Sequence, residues 1–204
     1  EMLRSLVGSE MCIRDSMRGL TTGSYVYFSD IQMDQFQGTT ANGNRLGIIS
    51  QGEIYSSDGD ITKYWSGLYS VINSANYIIE KMENLKATAE LSASDLAALS
   101  RYDGEAHFVR AYCYYWLADH FCETYSAENA QAAAKGLPLV TVYHPTGDLT
   151  SYPGRSTQDE TYKLIDDDLT AAYNALVEFE KTDNSNVAPN ASYLSSYAVL
   201  ALQA

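Results

Sequence analysis

The chain has 204 residues, 46% hydrophobic and 19% charged, which predicts one globular domain with a sizeable core. Asp and Glu total 26 against 13 for Lys and Arg, and the net charge of -13 argues against a nucleic acid partner because it repels phosphate backbones. No apolar run reaches the roughly 20 residues that a membrane-spanning helix needs, and no signal peptide pattern is present.

Residues 1–16 show neither helical nor strand periodicity, and their segment SLVGSEMCIRD resembles translated adapter sequence from shotgun sequencing. We therefore expect this stretch to be non-native or disordered and to contribute no packing. Cys12 follows Ser9, Glu10 and Met11 instead of small apolar residues, which argues against a lipid-attachment site at this position.

A mixed segment and a long loop come next in the chain. Residues 17–38 mix apolar and polar side chains, with a helical stretch predicted between Tyr27 and Phe36. Residues 39–59 are rich in Gly, Asn and Ser, the composition of an irregular loop. Loops of this length inside compact domains usually carry function.

Four helices are predicted after the loop, because apolar residues recur at steps of three and four. Asp60 and Asn190 are the predicted N-caps of the first and fourth, and two overlapping capping-box patterns, from Ser156 and from Thr157, precede the third. The predicted helices span residues 60–84, 94–121, 156–180 and 190 onward. Because the fourth helix still continues at the last residue, we expect the chain to be truncated there.

The segment between the second and third helices contains GLPLVTVYHP, whose prolines and β-branched residues predict an extended stretch with turns. On the second helix, Cys113 and Cys122 lie nine residues apart and are predicted to be buried thiols, because such a spacing is too long for a disulfide. On the same helix, Glu105 and Arg110 lie in an apolar stretch. Since buried charges need partners, we predict structural roles that reach neighbouring helices.

Motifs that indicate catalysis are absent: the sequence has no Gly-x-Ser-x-Gly elbow, no Gly-Lys-Ser/Thr phosphate loop and no His-Glu-x-x-His pair. His107 and His120 point about 220° apart around one helix and cannot share a metal ion. The sequence therefore predicts no catalytic residue, no metal and no cofactor.

Two groups of acidic residues resemble cation sites in the sequence. Asp166, Asp167 and Asp168 are consecutive on a helix, so their side chains diverge, and a solvated face is predicted. Asp58 and Asp60 flank a glycine but lack the later ligands of a calcium loop, so helix capping is preferred for them.

Four blocks in the chain match the conserved motifs of one protein family. The second block carries the most specific pattern, Gly-Glu-Ala-x-Phe-x-Arg-Ala. In chain order the blocks are YWSGLYSVINSANYIIEKM, DGEAHFVRAYCYYWLADHF, GLPLVTVYHPTG and GRSTQDETYKLIDDDLTAAYNAL. With the closing SYLSSYAVLALQA, they resemble the SusD/RagB family of nutrient-binding outer-membrane lipoproteins. The chain departs from that family after Phe121, where an insertion replaces a Gly-Asp-Val-Pro-like turn.

The resemblance implies an all-α fold of tetratricopeptide-like helical hairpins with long loops. Residues 17–204 would form the N-terminal helical part of a SusD-like domain, truncated at its end. It implies a surface-exposed lipoprotein of the outer membrane that is no enzyme. Such a protein captures a glycan or oligopeptide ligand and delivers it to a SusC-like TonB-dependent transporter. The membrane contact is a lipid anchor that the sequence does not contain.

Two other functions remain open at this point. One is a tetratricopeptide-type scaffold that binds a protein or peptide. The other is a helical glycoside hydrolase that uses two carboxylates, which would turn over its glycan instead of releasing it unchanged.

The predicted ligand contacts lie between about Asp34 and Asp60, before the first long helix, in a segment from which the resembled family draws part of its glycan pocket. Tyr55 offers a stacking face, Arg45 and Asp34 offer charged hydrogen-bond partners, and Asn42 and Asn44 offer amides that donate and accept. The alternative is that Tyr55 packs the loop onto the helices and that the polar groups satisfy turns.

Overall fold

A computed structural model gives the architecture of the chain. It describes residues 47–52, 54–188 and 193–204, and isolated positions between residues 13 and 43. These residues form helices and one isolated antiparallel bridge, between Pro138 and Arg155, but no strand. The α-helices are α1 (Gly47–Ser50), α2 (Gly59–Thr88), α3 (Ala93–Phe121), α4 (Gln158–Glu180) and α5 (Ser196–Gln203), with 3-10 turns at Leu149–Ser151 and Ser185–Val187.

Helix α2 begins after Asp58, whose carboxylate accepts hydrogen bonds from the backbone amides of Asp60 at 2.8 Å and Ile61 at 3.1 Å. This acceptor satisfies amides that the first helical turn leaves without partners. The predicted N-cap, Asp60, is therefore wrong by two residues. The helix also continues past the predicted end at Asn84, to Thr88.

Helices α3 and α4 each begin with a capping box. The Ser92 side chain accepts from the backbone amide of Asp95, and the Asp95 carboxylate accepts from that of Ser92. Thr157 and Glu160 make the same reciprocal pair before α4. Of the two predicted capping boxes, the one that begins at Thr157 is confirmed, because local side-chain spacing alone determines it.

Helix α5 begins later than predicted. Its N-cap, Ser195, makes no side-chain capping bond, and the first-turn groups of Ser196 bind Glu180 at the end of α4. The Glu180 carboxylate accepts from the Ser196 amide at 2.9 Å and from its hydroxyl at 2.7 Å. The predicted start at Asn190 is therefore wrong, because the group that binds the first turn comes from another helix. Asn190 itself lies outside the described residues.

The long helices pack in sequence order, with α2 on α3, α3 on α4 and α4 on α5, which confirms the predicted all-α fold of helical hairpins. The core fills the space between these helices. Its largest fully buried apolar side chains are those of Tyr114, Leu68, Ile72, Ile78, Met82, Leu99, Leu117, Leu137, Leu176 and Val199. Helices α3 and α4 approach closely at Gly104, where a Cβ atom would lie 2.6 Å from Cγ of Leu176.

Ile13, one of the two residues described in the first stretch, takes part in this core. Ile13 is 3% exposed and belongs to the main apolar cluster. The prediction that residues 1–16 contribute no packing is therefore wrong for Ile13, whose apolar side chain is withdrawn from water. The predicted helical stretch from Tyr27 to Phe36 lies largely outside the described residues.

The segment after α3 forms the predicted extended stretch. The Gly136 amide donates to the Ser156 carbonyl at 2.8 Å, and the Ser156 amide donates to the Leu137 carbonyl at 3.0 Å. A Cβ atom on Gly136 would lie 2.1 Å from the carbonyl oxygen of Thr157, so the close approach of the two segments requires glycine at this position.

The structure also shows the state of two cysteines. Cys113 is a buried thiol, as predicted, whereas Cys122 is only partly buried. Burial raises the pKa of both thiols, and for Cys122 the nearby Arg155 opposes that effect.

None of the helices in the described part of the chain is long and apolar enough to cross a membrane.

Candidate functional site

A cluster of buried polar side chains joins three helices. The Arg110 guanidinium of α3 donates to both carboxylate oxygens of Asp168 on α4, from Nε at 2.8 Å and from Nη2 at 2.6 Å. Its Nη1 donates to Oδ1 of Asn76 on α2 at 2.7 Å. All three residues are buried, so these charge-assisted bonds replace water. The predicted reach of Arg110 to neighbouring helices is confirmed; Glu105 lies 3.8 Å from Arg101 on its own helix.

Asp168 is ionised within this cluster. Burial would raise the pKa of its carboxyl group, but hydrogen bonds from Arg110 and His107 outweigh the burial and hold the pKa below its usual range. The predicted solvated face is wrong for Asp168, because one helical step of about 100° turns it toward α3. Asp166 and Asp167 are exposed, as predicted.

The two helical histidines bind separate partners. His107 places Nδ1 at 2.8 Å from Asp168 and Nε2 at 3.6 Å from Asp103, so it links α3 to α4. His120 places Nδ1 at 3.0 Å from the carbonyl oxygen of Trp116. Across the residues that the structure describes, no three His, Cys, Asp or Glu side chains group together as metal ligands.

The polar cluster fixes the extended segment between α3 and α4. Nδ2 of Asn76 donates to the Val140 carbonyl at 2.9 Å, and the Val140 amide donates to the Tyr114 hydroxyl at 2.7 Å. The Tyr69 hydroxyl donates to the Pro138 carbonyl at 2.9 Å. Burial raises the pKa of Tyr114 to about 12, so its hydroxyl stays neutral and remains a donor and acceptor.

Two pockets open beside this segment. The first, which we call the Tyr55 pocket, has a volume of about 500 Å³. It is lined by Ile54, Tyr55, Ser56, Ile61, Thr62, Tyr64, Trp65, His120, Phe121 and Arg155. The segment before α2, the first turns of α2 and the end of α3 therefore contribute to one cavity.

The second pocket, which we call the Tyr152 pocket, has a volume of about 730 Å³. It is lined by Trp65, Ser66, Tyr69, Ser70, Asn73, Pro138, Val140, His144, Pro145, Thr146, Ser151, Tyr152 and Pro153. One side is a face of α2, and the other is the segment that the polar cluster holds in place. The buried cluster thus positions a wall of this pocket.

Trp65 belongs to both pockets and marks the point where they meet. Its ring centroid lies 4.9 Å from that of Phe121, edge to face, and 5.0 Å from that of Tyr69. The Arg155 guanidinium lies over the Trp65 ring at 5.7 Å from its centroid. Aromatic contacts and a cation therefore fix the indole at the junction.

The predicted site is only partly placed by the structure. Tyr55 lines a pocket and is 57% exposed, so its ring is available to a ligand. Asp34, Asn42, Asn44 and Arg45 lie outside the described residues, and their predicted role stays a prediction.

Sequence reasoning missed most of the pocket. Trp65 lies within the first predicted helix, and Tyr152 and Arg155 lie between the second and third, where the sequence predicts no ligand contact. No local signal brings these residues together, because about 90 residues separate Trp65 from Arg155 and the helical hairpin brings them into contact. The 12% aromatic content was the one general indication of stacking surfaces.

Comparisons with known proteins agree with this fold. A family model described as SusD-like, starch-binding and associating with the outer membrane matches residues 14–202. No curated protein matches the chain significantly. Among solved structures, the chain is similar to a SusD superfamily protein from Bacteroides thetaiotaomicron VPI-5482, with 23% identity and a TM-score of 0.70 over 97% of this chain and 41% of that one.

Two further solved structures have printed names that mention glycans. A laminarin-binding SusD-like protein has 18% identity and a TM-score of 0.66 over 98% of this chain and 38% of that one. Surface glycan-binding protein A from Bacteroides fluxus has 20% identity and a TM-score of 0.62 over 99% of this chain and 38% of that one. At these identities the likeness shows the fold alone, and this chain spans less than half the length of each relative.

The family model covers nearly the whole chain, and the helical hairpins reproduce the fold of the solved SusD-like proteins. The resemblance carried by the four sequence blocks is therefore confirmed, and the chain belongs to the SusD-like family.

Proposed function

We propose that this chain carries part of the binding site of a non-catalytic protein that captures glycans at the cell surface. The observation that carries the proposal is the pair of aromatic-lined pockets that meet at Trp65. Flat aromatic faces pack against the apolar faces of sugar rings, and hydroxyl and amide groups bind the sugar hydroxyls. The description of the family as starch-binding supports this assignment.

The size and the lining of the pockets suit binding of an oligosaccharide. Their volumes of about 500 and 730 Å³ lie within the range of roughly 300–1,000 Å³ that is usual for small-molecule sites. Tyr55 and Tyr152 are 57% and 53% exposed, so each presents much of its ring to a ligand. Asn73 and Ser70 add polar groups along the α2 face. A chain of sugar rings can therefore bind across both pockets.

Binding without catalysis fits the lack of acidic side chains in the described lining of the two pockets. Hydrolysis of a glycosidic bond uses two carboxyl groups, separated by about 5 to 9.5 Å, that act as acid and as base or nucleophile. The described residues that line the two pockets include no Asp and no Glu. This lining favours a binding protein over a helical glycoside hydrolase.

The proposed site extends into the loop before α2. Asp34, Asn42, Asn44 and Arg45 belong to it on the grounds of loop composition and side-chain chemistry. Tyr55 belongs to the same loop and lines a pocket, which supports the extension.

The protein acts at the outer membrane as a lipid-anchored partner of a SusC-like TonB-dependent transporter, to which it delivers its ligand. The family description as associating with the outer membrane supports the location. The helical hairpins supply a rigid frame, and connecting segments form part of the lining of both pockets, where a ligand can enter and leave.

Calorimetric titration of the full-length protein with neutral oligosaccharides, acidic oligosaccharides and peptides tests the proposal. We expect a glycan to bind, and we expect Tyr55→Ala and Tyr152→Ala each to weaken that binding by about 1 to 3 kcal/mol through lost stacking area. Tyr197→Ala is the matched control, because Tyr197 is 69% exposed on α5 and lines neither pocket.

Three results would reject the proposal. Unchanged affinity in both pocket variants, with an intact fold, would place the site elsewhere. Release of shortened sugars, detected by chromatography, would indicate a hydrolase. Binding of peptides and of no glycan would indicate a tetratricopeptide-type scaffold.

A further inference from the structure

The pockets differ in charge from the chain as a whole. Asp and Glu make up 26 of the 204 residues, yet none of the described residues that line the Tyr55 pocket or the Tyr152 pocket is acidic. The ionisable nitrogen groups of the lining are those of Arg155, His120 and His144. The local potential at the site is therefore more positive than the net charge of the protein suggests.

Backbone carbonyls hold Arg155 at the pocket, and no carboxylate of the described residues pairs with its guanidinium. Its Nη1 donates to the carbonyl oxygens of Gly136 at 3.0 Å and Phe121 at 3.4 Å. These contacts place the guanidinium over Trp65, next to the junction of the two pockets. Backbone carbonyls orient the group but carry no formal charge, so its positive charge can still pair with an anion.

Several other cations among the described residues are neutralised by neighbouring carboxylates. Arg110 pairs with Asp168, and Lys86 pairs with Asp103 at 2.8 Å. No carboxylate of the described residues pairs with Arg155. The same holds for Lys81, which lies over the Tyr77 ring but lines neither pocket.

Two of the carboxylates that are close in sequence to pocket residues cap turns, whereas Asp119 lies 3.5 Å from Nδ1 of His120. Asp58 accepts hydrogen bonds from two first-turn amides of α2. Asp148 accepts from the amide of Thr150 at 3.0 Å and from its hydroxyl at 2.7 Å, which lowers the pKa of Asp148. Both carboxylates are thus engaged in capping turns.

His120 adds a second polar group to the Tyr55 pocket, and its Nδ1 lies 3.0 Å from the carbonyl oxygen of Trp116. His120 lines this pocket with a side chain that is 9% exposed, and its Nε2 is buried without a hydrogen bond. The described residues thus leave one polar atom of the lining residue His120 unsatisfied.

We infer that the pockets select acidic oligosaccharides, in which a carboxylate or a sulfate ester pairs with Arg155 while the sugar rings pack against Trp65 and Tyr55. The inference rests on the proposed function and specifies its substrate class. A guanidinium matches the geometry of carboxylate and sulfate oxygens with two parallel donors, whereas a neutral hydroxyl accepts at most an ordinary hydrogen bond. The acidic remainder of the protein repels such a ligand at long range, so recognition depends on this local cation.

The test compares oligosaccharides of equal length in calorimetric titrations of the full-length protein. The probes are oligogalacturonides for the carboxylate, κ-carrageenan oligosaccharides for the sulfate ester, and malto- and laminari-oligosaccharides as neutral ligands. We expect at least one acidic probe to bind at least about tenfold more tightly than either neutral probe. A difference of this size corresponds to a single charge-assisted contact.

Three variants locate the preference. Arg155→Gln is expected to reduce binding of the acidic probe about tenfold more than binding of the neutral probes, because both ligand classes contact the lining but only the acidic one loses a charge pair. Arg155→Lys keeps the charge and is expected to retain most of the preference. Lys81→Gln removes the same charge outside the pockets and is expected to change nothing.

The outcomes separate this inference from the proposed function. Neutral probes that bind as tightly as acidic ones to the unmodified protein would overturn the acidic preference while leaving glycan capture intact, and this comparison needs no variant to fold. Equal losses of both ligand classes in Arg155→Gln would also overturn it. If no glycan of either class bound, the proposed function itself would fail.

Discussion

Arg110 and Arg155 are the same residue type in two opposite environments. Arg110 is 7% exposed and binds Asp168 and Asn76, so three helices share one buried charge network. Arg155 is exposed, binds backbone carbonyls, and lies over Trp65 at the junction of the pockets. One arginine is neutralised within the protein, and the other keeps a charge that a ligand can use.

The two environments separate a charge that stabilises the fold from the charge that we propose for ligand binding. A buried cation needs a complete set of partners, because its desolvation is costly, and a saturated group has nothing left to offer a ligand. An exposed cation remains hydrated and exchanges water for a ligand at lower cost. The two regions are still connected, because Asn76 binds both Arg110 and the carbonyl of Val140, which lines the Tyr152 pocket.

The largest expected effect comes from Arg110→Met. Asp168 would remain buried without its main partner, which costs about 3 to 5 kcal/mol of unfolding free energy. Urea denaturation of the variant and of the parent protein measures the loss. Arg110→Met combined with Asp168→Leu serves as the control, since it removes both charges and is expected to recover part of the stability. A loss below about 1 kcal/mol in the single variant would contradict the structural role of Arg110.

A smaller effect is expected from acid, through Asp168. Its pKa in the folded protein lies below that of the unfolded chain, so the ionised carboxylate contributes stability above the ordinary Asp pKa of about 3.9. That contribution is lost as the pH falls through the lower, folded-state value. The unfolding free energy of the parent should therefore exceed that of Asp168→Asn at neutral pH, and the gap should narrow below about pH 4.

Denaturation curves collected across a series of pH values give this gap directly. Asp166→Asn is the matched control, because Asp166 is exposed on the same helix and no comparable gap is expected for it. A gap for Asp168→Asn that stayed constant down to pH 2 would show that the carboxylate does not stabilise the fold through its charge.

Most of the fold followed from local sequence patterns. Helices α2, α3 and α4 were predicted within a few residues, because the apolar period and the capping box at Thr157 lie within each helix. The start of α5 was not predictable in this way, since Glu180 caps it from 16 residues upstream. The burial of Asp168 was missed for the same reason: its partners lie on another helix, and the triplet of aspartates shows only helical spacing.

The site was predictable to a lesser extent. Loop composition pointed to the segment that contains Tyr55, and the structure places Tyr55 at a pocket. Trp65 and Arg155 could not be grouped from sequence, because their contact depends on how α2 packs against the segment before α4. Their combined surface arises from tertiary packing, which residue spacing does not encode.

The smallest expected effect on stability is that of Arg155→Gln, and it tests the comparison of the two arginines most directly. The substitution loses the cation over Trp65 and weakens hydrogen bonds to the carbonyls of Gly136 and Phe121. A glutamine amide can still donate to one carbonyl, and no carboxylate of the described residues is left without a partner. We therefore expect the unfolding free energy to change by no more than about 1 kcal/mol, measured by the same urea denaturation. A loss of about 3 kcal/mol or more would place Arg155 among the buried structural charges, like Arg110, and would remove the distinction between the two regions.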